Sequence, residues 1–492
     1  MEQERKIFGH PVALITLFFT EMWERFSYYG MRALLMLFMT TPLLGSNPGL
    51  GLGVAHASAI YGLYTASVYF LTLAGGWIAD NLWGQRKAVF VGGCIIAAGH
   101  FSMAVPGNVS FFLGLILIAI GTGLLKPNVS TMVGELYPEG GARRDAGFSV
   151  FYMGINTGAF LGPIICGALG ENWNWHAGFS AAGIGMVLGL IQYKAGAKLL
   201  GNAGLLDEDT SSTRFKNKNR NFYLIAGSAI LLLVLFGYLV NQGIFQLSME
   251  DIASGLGYGI LILVLIYFIY LFIAGGHSGP EKKRLGVIFW LFILAAVFWS
   301  GFEQAGSSLN LFADQDTNRM VGGWEVPASW LQSVNPIFII VLAPVFGWLW
   351  TWLAARNANP SAPLKFALRL IGLSAGFFVI SWGAANSGPG NLASPAWLIV
   401  TYFFHTCGEL CLSPVGLSSV TKLAPKSRVG QMMGIWFVAA ALGNLFAGLL
   451  SGQLEELDSQ ALFSKVAMFI GAAGIIALLA SPFVRKLMGD VK

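Results

Sequence analysis

The sequence predicts an all-α membrane protein with about fourteen transmembrane helices, and two observations support this fold class. Of the 492 residues, 55% are apolar and 11% are charged, with a mean hydropathy of +0.66, whereas soluble domains carry about 25% charged residues. The apolar runs are long, continuous and rich in Leu, Ile, Ala, Phe and Gly, which favours helices over the alternating strands of an outer-membrane barrel. This composition excludes a water-soluble enzyme.

Fourteen apolar stretches have the length of about 20 residues that a helix needs to cross a bilayer. They lie at residues 13–41, 54–79, 87–106, 111–134, 145–169, 176–199, 222–246, 252–276, 284–313, 328–355, 363–386, 394–421, 428–453 and 462–484. The first stretch is too long for the core of a signal peptide and carries charges at its centre, so we expect it to remain in the mature protein.

Basic residues concentrate in alternate loops, and this bias predicts the orientation of the chain. Starting at the N-terminus, these segments contain Arg5, Lys6, Arg86, Lys87, Arg143, Arg144, Lys198, Arg214, Lys216, Lys218, Arg220, Lys282, Lys283, Arg284, Arg356, Lys365, Arg369, Lys422, Lys426, Arg428, Arg485, Lys486 and Lys492. The intervening segments contain only Arg319 and Lys465 among many acidic residues. Because basic loops resist translocation, we expect a multi-pass protein of a cell inner membrane or plasma membrane with both termini cytoplasmic. The net charge of +5 then reflects topology rather than nucleic-acid binding.

The order of the spans predicts four parts. Residues 1–200 form an N-terminal six-helix bundle, 201–221 a polar cytoplasmic linker, 222–277 two additional transmembrane helices, and 278–492 a C-terminal six-helix bundle. Two six-helix halves around a central cavity are typical of the major facilitator fold. The loop GGWIADNLWGQRK at residues 75–87 resembles the loop signature of that superfamily, and in it we expect Asp80 and Arg86 to pair or to cap a neighbouring helix.

Charged residues inside the spans indicate a water-filled pathway, since each costs a few kcal/mol at mid-membrane unless it faces a cavity or a partner. The residues in question are Glu21, Glu24, Arg25, Arg32, Lys126, Glu303 and Glu409. On a helix of 3.6 residues per turn, Arg25, Tyr28 and Arg32 lie within roughly 40° of Glu21, so the first span carries one polar stripe. The alternative is that these charges only hold helices together. It is less favoured, because uncharged hydrogen-bonding groups hold helices together at a lower free-energy cost in the membrane.

Two motifs resemble those of the proton-dependent oligopeptide transporters, a family of the major facilitator superfamily. EMWER at residues 21–25 is similar to the ExxER motif of the family, and FYMGINTG at 151–158 resembles the signature of its fifth helix. Further matches follow in the expected order and extend the resemblance over almost the whole chain: residues 126–128, 298–299, 303–304, 332–336 and 408–409. The additional pair of helices at 222–276 is similar to that of bacterial members.

The resemblance implies a proton-coupled symporter that imports di- and tripeptides by alternating access, without a cofactor and with the proton as coupling ion. All such peptides share a terminal carboxylate, a terminal ammonium and a peptide backbone. We expect Arg32 and Lys126 to hold the carboxylate, and Glu409 to hold the ammonium from the other bundle. The peptide backbone and the side-chain pockets are assigned to Asn156, Asn335, Tyr28, Tyr29, Tyr64, Trp299 and Trp436.

Proton coupling is assigned to Glu21, Glu24, Arg25, Lys126 and Glu303. Many eukaryotic relatives carry a histidine after Ala-Ile-Tyr in the second helix, whereas Gly62 follows Ala59-Ile60-Tyr61 here. This departure shifts proton coupling to the carboxylates. We expect structural roles for His56, His100 and His405.

Metal, disulfide and ATP chemistry have no support in the sequence. All four cysteines lie in apolar stretches, no histidine spacing indicates a metal site, and the Gly-rich runs lack a Walker lysine and serine, so we expect no ATP-binding subunit. Within the family, the alternative is a transporter of nitrate or another anion, for which Glu409 would have no ammonium to bind. An intramembrane hydrolase is a further alternative, but the sequence contains no HExxH motif, and its GxSxG pattern, GLSAG at residues 372–376, lies within the predicted span 363–386.

Overall fold

The computed structural model describes residues 6–7, 9–207, 210–242, 247–387, 391–412 and 415–489, and these are almost entirely helical. The helices are α1 Ala13–Thr40, α2 Val54–Ile78, α3 Gln85–Ala104, α4 Asn108–Glu135, α5 Gly141–Asn172, α6 Trp175–Gly196, α7 Thr213–Asn241, α8 Met249–Ile273, α9 Gly279–Phe302, α10 Ser308–Gln315, α11 Val334–Ala355, α12 Ala362–Ala385, α13 Ala396–Leu412, α14 Val415–Leu423, α15 Val429–Gly452 and α16 Ser459–Met488. The described residues also include two short antiparallel strand pairs. Strand β1 Lys6–Ile7 pairs with β2 His10–Pro11, and β3 Met320–Val321 pairs with β4 Trp324–Glu325.

Eleven helical segments of the described chain are long and apolar enough to cross a membrane. Helices α1, α6 and α13 do not meet this criterion, and α1 carries the four charged residues of the first span. They nevertheless pack along helices that do meet it, α1 against α5, α6 against α3, and α13 against α12. The prediction of an all-α, multi-pass membrane protein is confirmed.

The helices pack as two groups. Helices α1–α6 contact one another extensively, and α9–α16 form a second group in which α12 lies between α13 and α16. Helix α8 packs against α2 of the first group and α15 of the second. Helix α7 is more peripheral, because no residue in its most apolar stretch is buried. It begins at Thr213, inside the predicted linker 201–221, because Ser212 accepts a hydrogen bond from the amide of Phe215 and caps it there.

The predicted span 284–313 is broken rather than continuous. Helix α9 ends at Phe302, residues 303–306 form a 3₁₀ turn, and α10 begins at Ser308. A Cβ atom on Gly306 would lie only 2.2 Å from the Tyr61 hydroxyl, so the turn requires a glycine where the first group of helices approaches. The predicted span 394–421 corresponds to α13 and α14, and its residues 413–414, like residues 243–246 of the seventh span, lie outside the described ranges.

Successive spans alternate in direction, so α1 begins and α16 ends at one face, which we call the terminal face. At the opposite face, which we call the closed face, two glutamates join the two bundles. Glu171 at the end of α5 accepts hydrogen bonds from the amides of Ala328 (2.6 Å) and Ser329 (3.1 Å), which begin the helical turn leading into α11. Glu455, just after α15, accepts a hydrogen bond from the amide of Ala55 (2.7 Å) in the first turn of α2. Each carboxylate therefore caps the positive end of a helix that belongs to the other bundle.

Glu171→Ala is expected to loosen this closed face. Hydrogen bonds to a charged group contribute about 1.5–3 kcal/mol, so the amides of Ala328 and Ser329 should exchange with deuterium at least about tenfold faster in the variant. Glu139→Ala is the control, because Glu139 is an exposed residue that pairs with Arg143 near the terminal face. Hydrogen exchange of the peptide containing residues 326–334 measures the effect, and equal exchange in both variants would contradict it.

Candidate functional site

A cavity of about 210 Å³ lies between the two bundles and is lined from both sides. The structure brings ten of the predicted site residues to its wall: Glu21, Arg25, Tyr29, Arg32, Lys126, Asn156, Trp299, Glu303, Asn335 and Glu409. Helices α1, α4 and α5 supply the first six of these, and α9, α11, α13 and the turn after α9 supply the others. The polar stripe predicted on the first span therefore faces a cavity rather than lipid.

Four predicted residues are not in the cavity wall. Glu24 is fully buried behind Arg25. Tyr28 is also buried, with its ring 5.3 Å from the Arg25 guanidinium. Tyr64 is buried, and its hydroxyl has no hydrogen-bond partner among the described residues. Trp436 packs against Phe366 of its own bundle, with ring centres 6.1 Å apart.

The ExxER residues form a compact ion cluster at one end of the cavity. Arg25 Nε lies 3.0 Å from Glu21 Oε1 and 2.5 Å from Glu24 Oε2. Lys126 is close enough to interact electrostatically with all three, because α4 packs against α1. Its ammonium lies 4.1 Å from the centre of the Tyr69 ring, and no carboxylate of the described residues lies within 4.0 Å of it. Lys126 is thus held by a cation–π contact beside the cluster.

A second ion pair joins the two bundles. Arg32 Nη1 on α1 lies 2.8 Å from Glu303 Oε2 in the turn after α9, and the two side chains are only 7% and 4% exposed. The Tyr29 ring lies 5.3 Å from the Arg32 guanidinium, and the Tyr61 hydroxyl is 3.5 Å from the Glu303 carbonyl oxygen. The break in the predicted ninth span thus positions Glu303 against Arg32.

Glu409 on α13 lies on the opposite wall, within the C-terminal bundle. Its carboxylate accepts a hydrogen bond from Asn335, whose amide also donates to Thr406 Oγ1 (2.9 Å). Arg369 on α12 interacts with it electrostatically. The wall formed by α13 therefore presents a carboxylate, and the wall formed by α1 and α4 presents Arg25, Arg32 and Lys126.

Lys365 and Arg369, counted above with the basic residues of a cytoplasmic segment, do not lie in a loop. Both residues lie in α12, and they are only 6% and 5% exposed. The Arg369 guanidinium carbon lies 3.3 Å from the centre of the Phe298 ring and 5.2 Å from that of Trp299. Their i, i+4 spacing, on one face of an apolar helix, is a signal that could have identified them.

Several cavity residues were not predicted from the sequence: Tyr69, Tyr152, Gln332 and Tyr402. His405, for which a structural role was expected, lines the cavity one turn from Glu409, with its ring centre 4.9 Å from that of Phe377. His100 is buried without a hydrogen-bond partner among the described residues, and His56 Nδ1 lies 3.5 Å from Glu250 Oε1. A tyrosine on a membrane helix can pack between helices or line the cavity. The spacing of tyrosines along the sequence alone therefore does not identify those that reach the cavity.

In the loop after α2, Asp80 and Arg86 do not pair with each other, but Arg86 caps the 3₁₀ turn at residues 197–200 that follows α6. Asp80 accepts a hydrogen bond from Gln85 Nε2 (2.9 Å). Arg86 instead donates to the carbonyl oxygens of Ala203 (2.6 Å) and Gly201, which follow α6. Gly84 turns the chain with φ 74°, which directs Arg86 toward that segment.

Comparisons with known proteins agree with this arrangement. The family model described as "POT family" matches residues 86–469. The chain is 43% identical to "Peptide transporter YePEPT" of Yersinia enterocolitica, over 99% of this chain and 97% of that protein. It is 36% identical to a "Di-/tripeptide transporter" of Lactococcus lactis subsp. cremoris, over 99% of both chains.

Solved structures give the same result. The fold is similar, with a TM-score of 0.89 and 41% identity, to a crystal structure of peptide transporter POT in complex with sulfate, over 99% of this chain and 97% of that one. With the same TM-score and identity, it is similar to a mutant of that transporter in complex with alafosfalin. The two helical groups are thus the two bundles of a major facilitator fold, and the chain belongs to the POT family.

Proposed function

We propose that the protein is a proton-coupled symporter that imports di- and tripeptides across the cytoplasmic membrane by alternating access. The observation that carries this proposal is the charge asymmetry of the cavity, with Arg32 and Lys126 on one wall and Glu409 on the other. A peptide has a carboxylate and an ammonium at its two ends, so it complements both walls at once. A nitrate ion has no group to offer to Glu409. The peptide transporters among the relatives support the same substrate class.

In this proposal the two ends of the peptide are bound by different bundles. Arg32 offers a planar fork and Lys126 a point charge to the carboxylate, while Glu409 accepts hydrogen bonds from the ammonium. Asn156 and Asn335 line the same cavity and can donate to and accept from the peptide bond. Tyr29 and Trp299 contribute amphipathic rings to the side-chain pockets. Because the clamp recognises only the shared ends, it tolerates many side chains.

Glu303 is the proposed carrier of the coupling proton. Its carboxylate forms an ion pair with the Arg32 guanidinium, with Oε2 2.8 Å from Nη1. A peptide carboxylate that binds Arg32 competes with Glu303 for the same cation, and Glu303 then takes up a proton to avoid remaining as an uncompensated buried charge. Protonation neutralises the site and permits the bundles to change their packing.

The direction of opening follows from the contacts between the bundles. Hydrogen bonds that Glu171 and Glu455 accept from backbone amides join the bundles at the face opposite the terminal face. The basic loops lie at the terminal face, which the positive-inside rule assigns to the cytoplasm. We therefore interpret this conformation as closed to the outside, with both termini cytoplasmic. Release of the two glutamate caps would open the outer side during transport.

Uptake of labelled dialanine by proteoliposomes tests the proposed function. An inside-negative potential adds about 2.3 kcal/mol to the driving force for uptake for each net positive charge and each 100 mV. A proton gradient with this potential should therefore drive accumulation of intact dialanine. Unlabelled tripeptides should compete, whereas nitrate and single amino acids should not. Competition by nitrate alone would indicate an anion transporter, and recovery of free alanine inside the vesicles would indicate hydrolysis.

Lys126→Ala is expected to abolish proton-driven uptake. The variant removes both a second cation that, beside Arg25, interacts electrostatically with Glu21 and Glu24, and one of the two proposed carboxylate contacts. Lys87→Ala is the matched control, because Lys87 also lies beside an aromatic ring, 5.4 Å from the centre of Trp83, but outside the cavity. The initial rate of dialanine uptake distinguishes the two variants, and full activity of Lys126→Ala would exclude its proposed role.

A further inference from the structure

A second cavity, of about 1160 Å³, lies at the terminal face of the C-terminal bundle and shares no lining residue with the first. It is bordered by the loop before α12, the first turn of α12, α14 and the last turns of α16. Four cationic side chains line it: Lys365, Lys422, Arg485 and Lys486. No aspartate or glutamate of the described residues is among its lining residues. Four cations gathered around one concave space create a strong positive potential that attracts an anion.

Two features distinguish this cavity from the general basic character of the terminal face. Lys365 is only 6% exposed, and its ammonium lies 4.5 Å from the centre of the Trp350 ring with no carboxylate of the described chain within 4.0 Å. The N-terminus of α12 also borders the cavity, and the Ser361 side chain makes no capping hydrogen bond there. A buried cation and an uncapped helix N-terminus are both stabilised by an anion that binds between them.

We propose that this cavity is a binding site for a phosphate-bearing anion. Phosphate oxygens accept hydrogen bonds from lysine and arginine, and from the hydroxyls of Ser419 and Ser481 that also line the cavity. The same chemistry is supplied by the head group of an anionic phospholipid or by a soluble phosphate. Exposed apolar side chains of α16 next to the cavity, Leu479 and Phe483, are positioned to contact the acyl chains of a lipid.

Binding of phosphatidylglycerol to the full-length, delipidated protein tests this site. Native mass spectrometry of protein titrated with phosphatidylglycerol or phosphatidylcholine in detergent measures both affinities, and a parallel titration uses inorganic pyrophosphate. The test variant is Arg485→Gln with Lys486→Gln, since both side chains are exposed and neither change creates a core defect. The matched control is Lys282→Gln with Lys283→Gln, which removes two adjacent cations at the first turn of α9, outside the cavity.

We expect the wild type and the control to bind phosphatidylglycerol at least about tenfold more tightly than phosphatidylcholine, and the test variant to lose that preference by roughly 10- to 30-fold. If pyrophosphate binds with the same dependence on Arg485 and Lys486, the occupant is a soluble phosphate; if only the lipid binds, it is a lipid head group. Equal losses in the test and control variants would mean that surface charge alone attracts the anion. That result, or an unchanged affinity in the test variant, would overturn the proposal.

Discussion

Glu303→Gln is expected to retain exchange of peptide across the membrane but to lose accumulation driven by a proton gradient. Glutamine keeps the shape of the side chain and mimics the protonated carboxyl group, so Arg32 stays available to the peptide in every step of the cycle. Without a group that gains and releases a proton, the gradient has no means of driving uptake. Dialanine counterflow, with equal pH on both sides, should therefore continue, while uptake with only a pH gradient should fall to the level of empty liposomes.

A matched control removes a carboxylate that also pairs with an arginine but lies outside the cavity. Glu325 Oε1 lies 2.9 Å from Arg319, at the closed face, and is 61% exposed. Glu325→Gln should leave both activities unchanged. If Glu303→Gln still accumulates dialanine in response to a proton gradient, Glu303 is not the obligatory carrier, and Glu21 or Glu24 becomes the candidate. Loss of counterflow in Glu303→Gln would instead indicate that the ion pair with Arg32 is needed to hold the fold.

Glu409→Ala is expected to weaken dipeptide binding while hardly affecting ligands that lack the amino group. Removal of one partner of a desolvated charge pair costs about 2–3 kcal/mol, or roughly 30- to 150-fold in affinity. Dialanine should lose this amount. Propionyl-alanine has the same shape and carboxylate but no ammonium, so its affinity should stay within about twofold. Competition against labelled dialanine in counterflow measures both.

Two further variants separate substrate recognition from structural effects of this change. Glu409→Gln keeps the hydrogen bond with Asn335 and should produce most of the loss, because it removes only the charge. Glu456→Ala removes an exposed carboxylate at the closed face and should change neither ligand. Equal weakening of dialanine and propionyl-alanine would show that Glu409 acts on the structure of the cavity or on the proton, for example through Arg369, and not on the ammonium.

The sequence predicted the helices and the polar face of the first span because both depend on which residues follow one another over short stretches of the chain. Apolar runs of sufficient length must form helices in a bilayer, and the spacing of Glu21, Arg25 and Arg32 places them on one face whatever surrounds the helix. The pairing of Arg25 with Glu21 at 3.0 Å follows directly from that i, i+4 spacing.

Residues that act between helices were less predictable. Tyr28, Tyr64 and Trp436 were assigned to pockets, yet the first two are buried and the third packs against Phe366. Arg369 was counted with the basic residues of a cytoplasmic segment, although it is buried beside Phe298. An aromatic or basic residue near a helix end can face lipid, a neighbouring helix or water, and only the depth and rotation of that helix decide which.

By itself, therefore, the sequence determined a multi-pass helical protein of the POT family and the residue types of its central site. The tertiary structure decided which residues meet: Arg32 with Glu303 across the bundles, Glu171 with the helix that leads into α11, and Glu455 with α2. Each of these contacts joins segments more than 150 residues apart, so no local pattern encodes it. They form because a carboxylate is stabilised by a cation or by a helix N-terminus, and the packing of the two bundles determines which of these lies within reach.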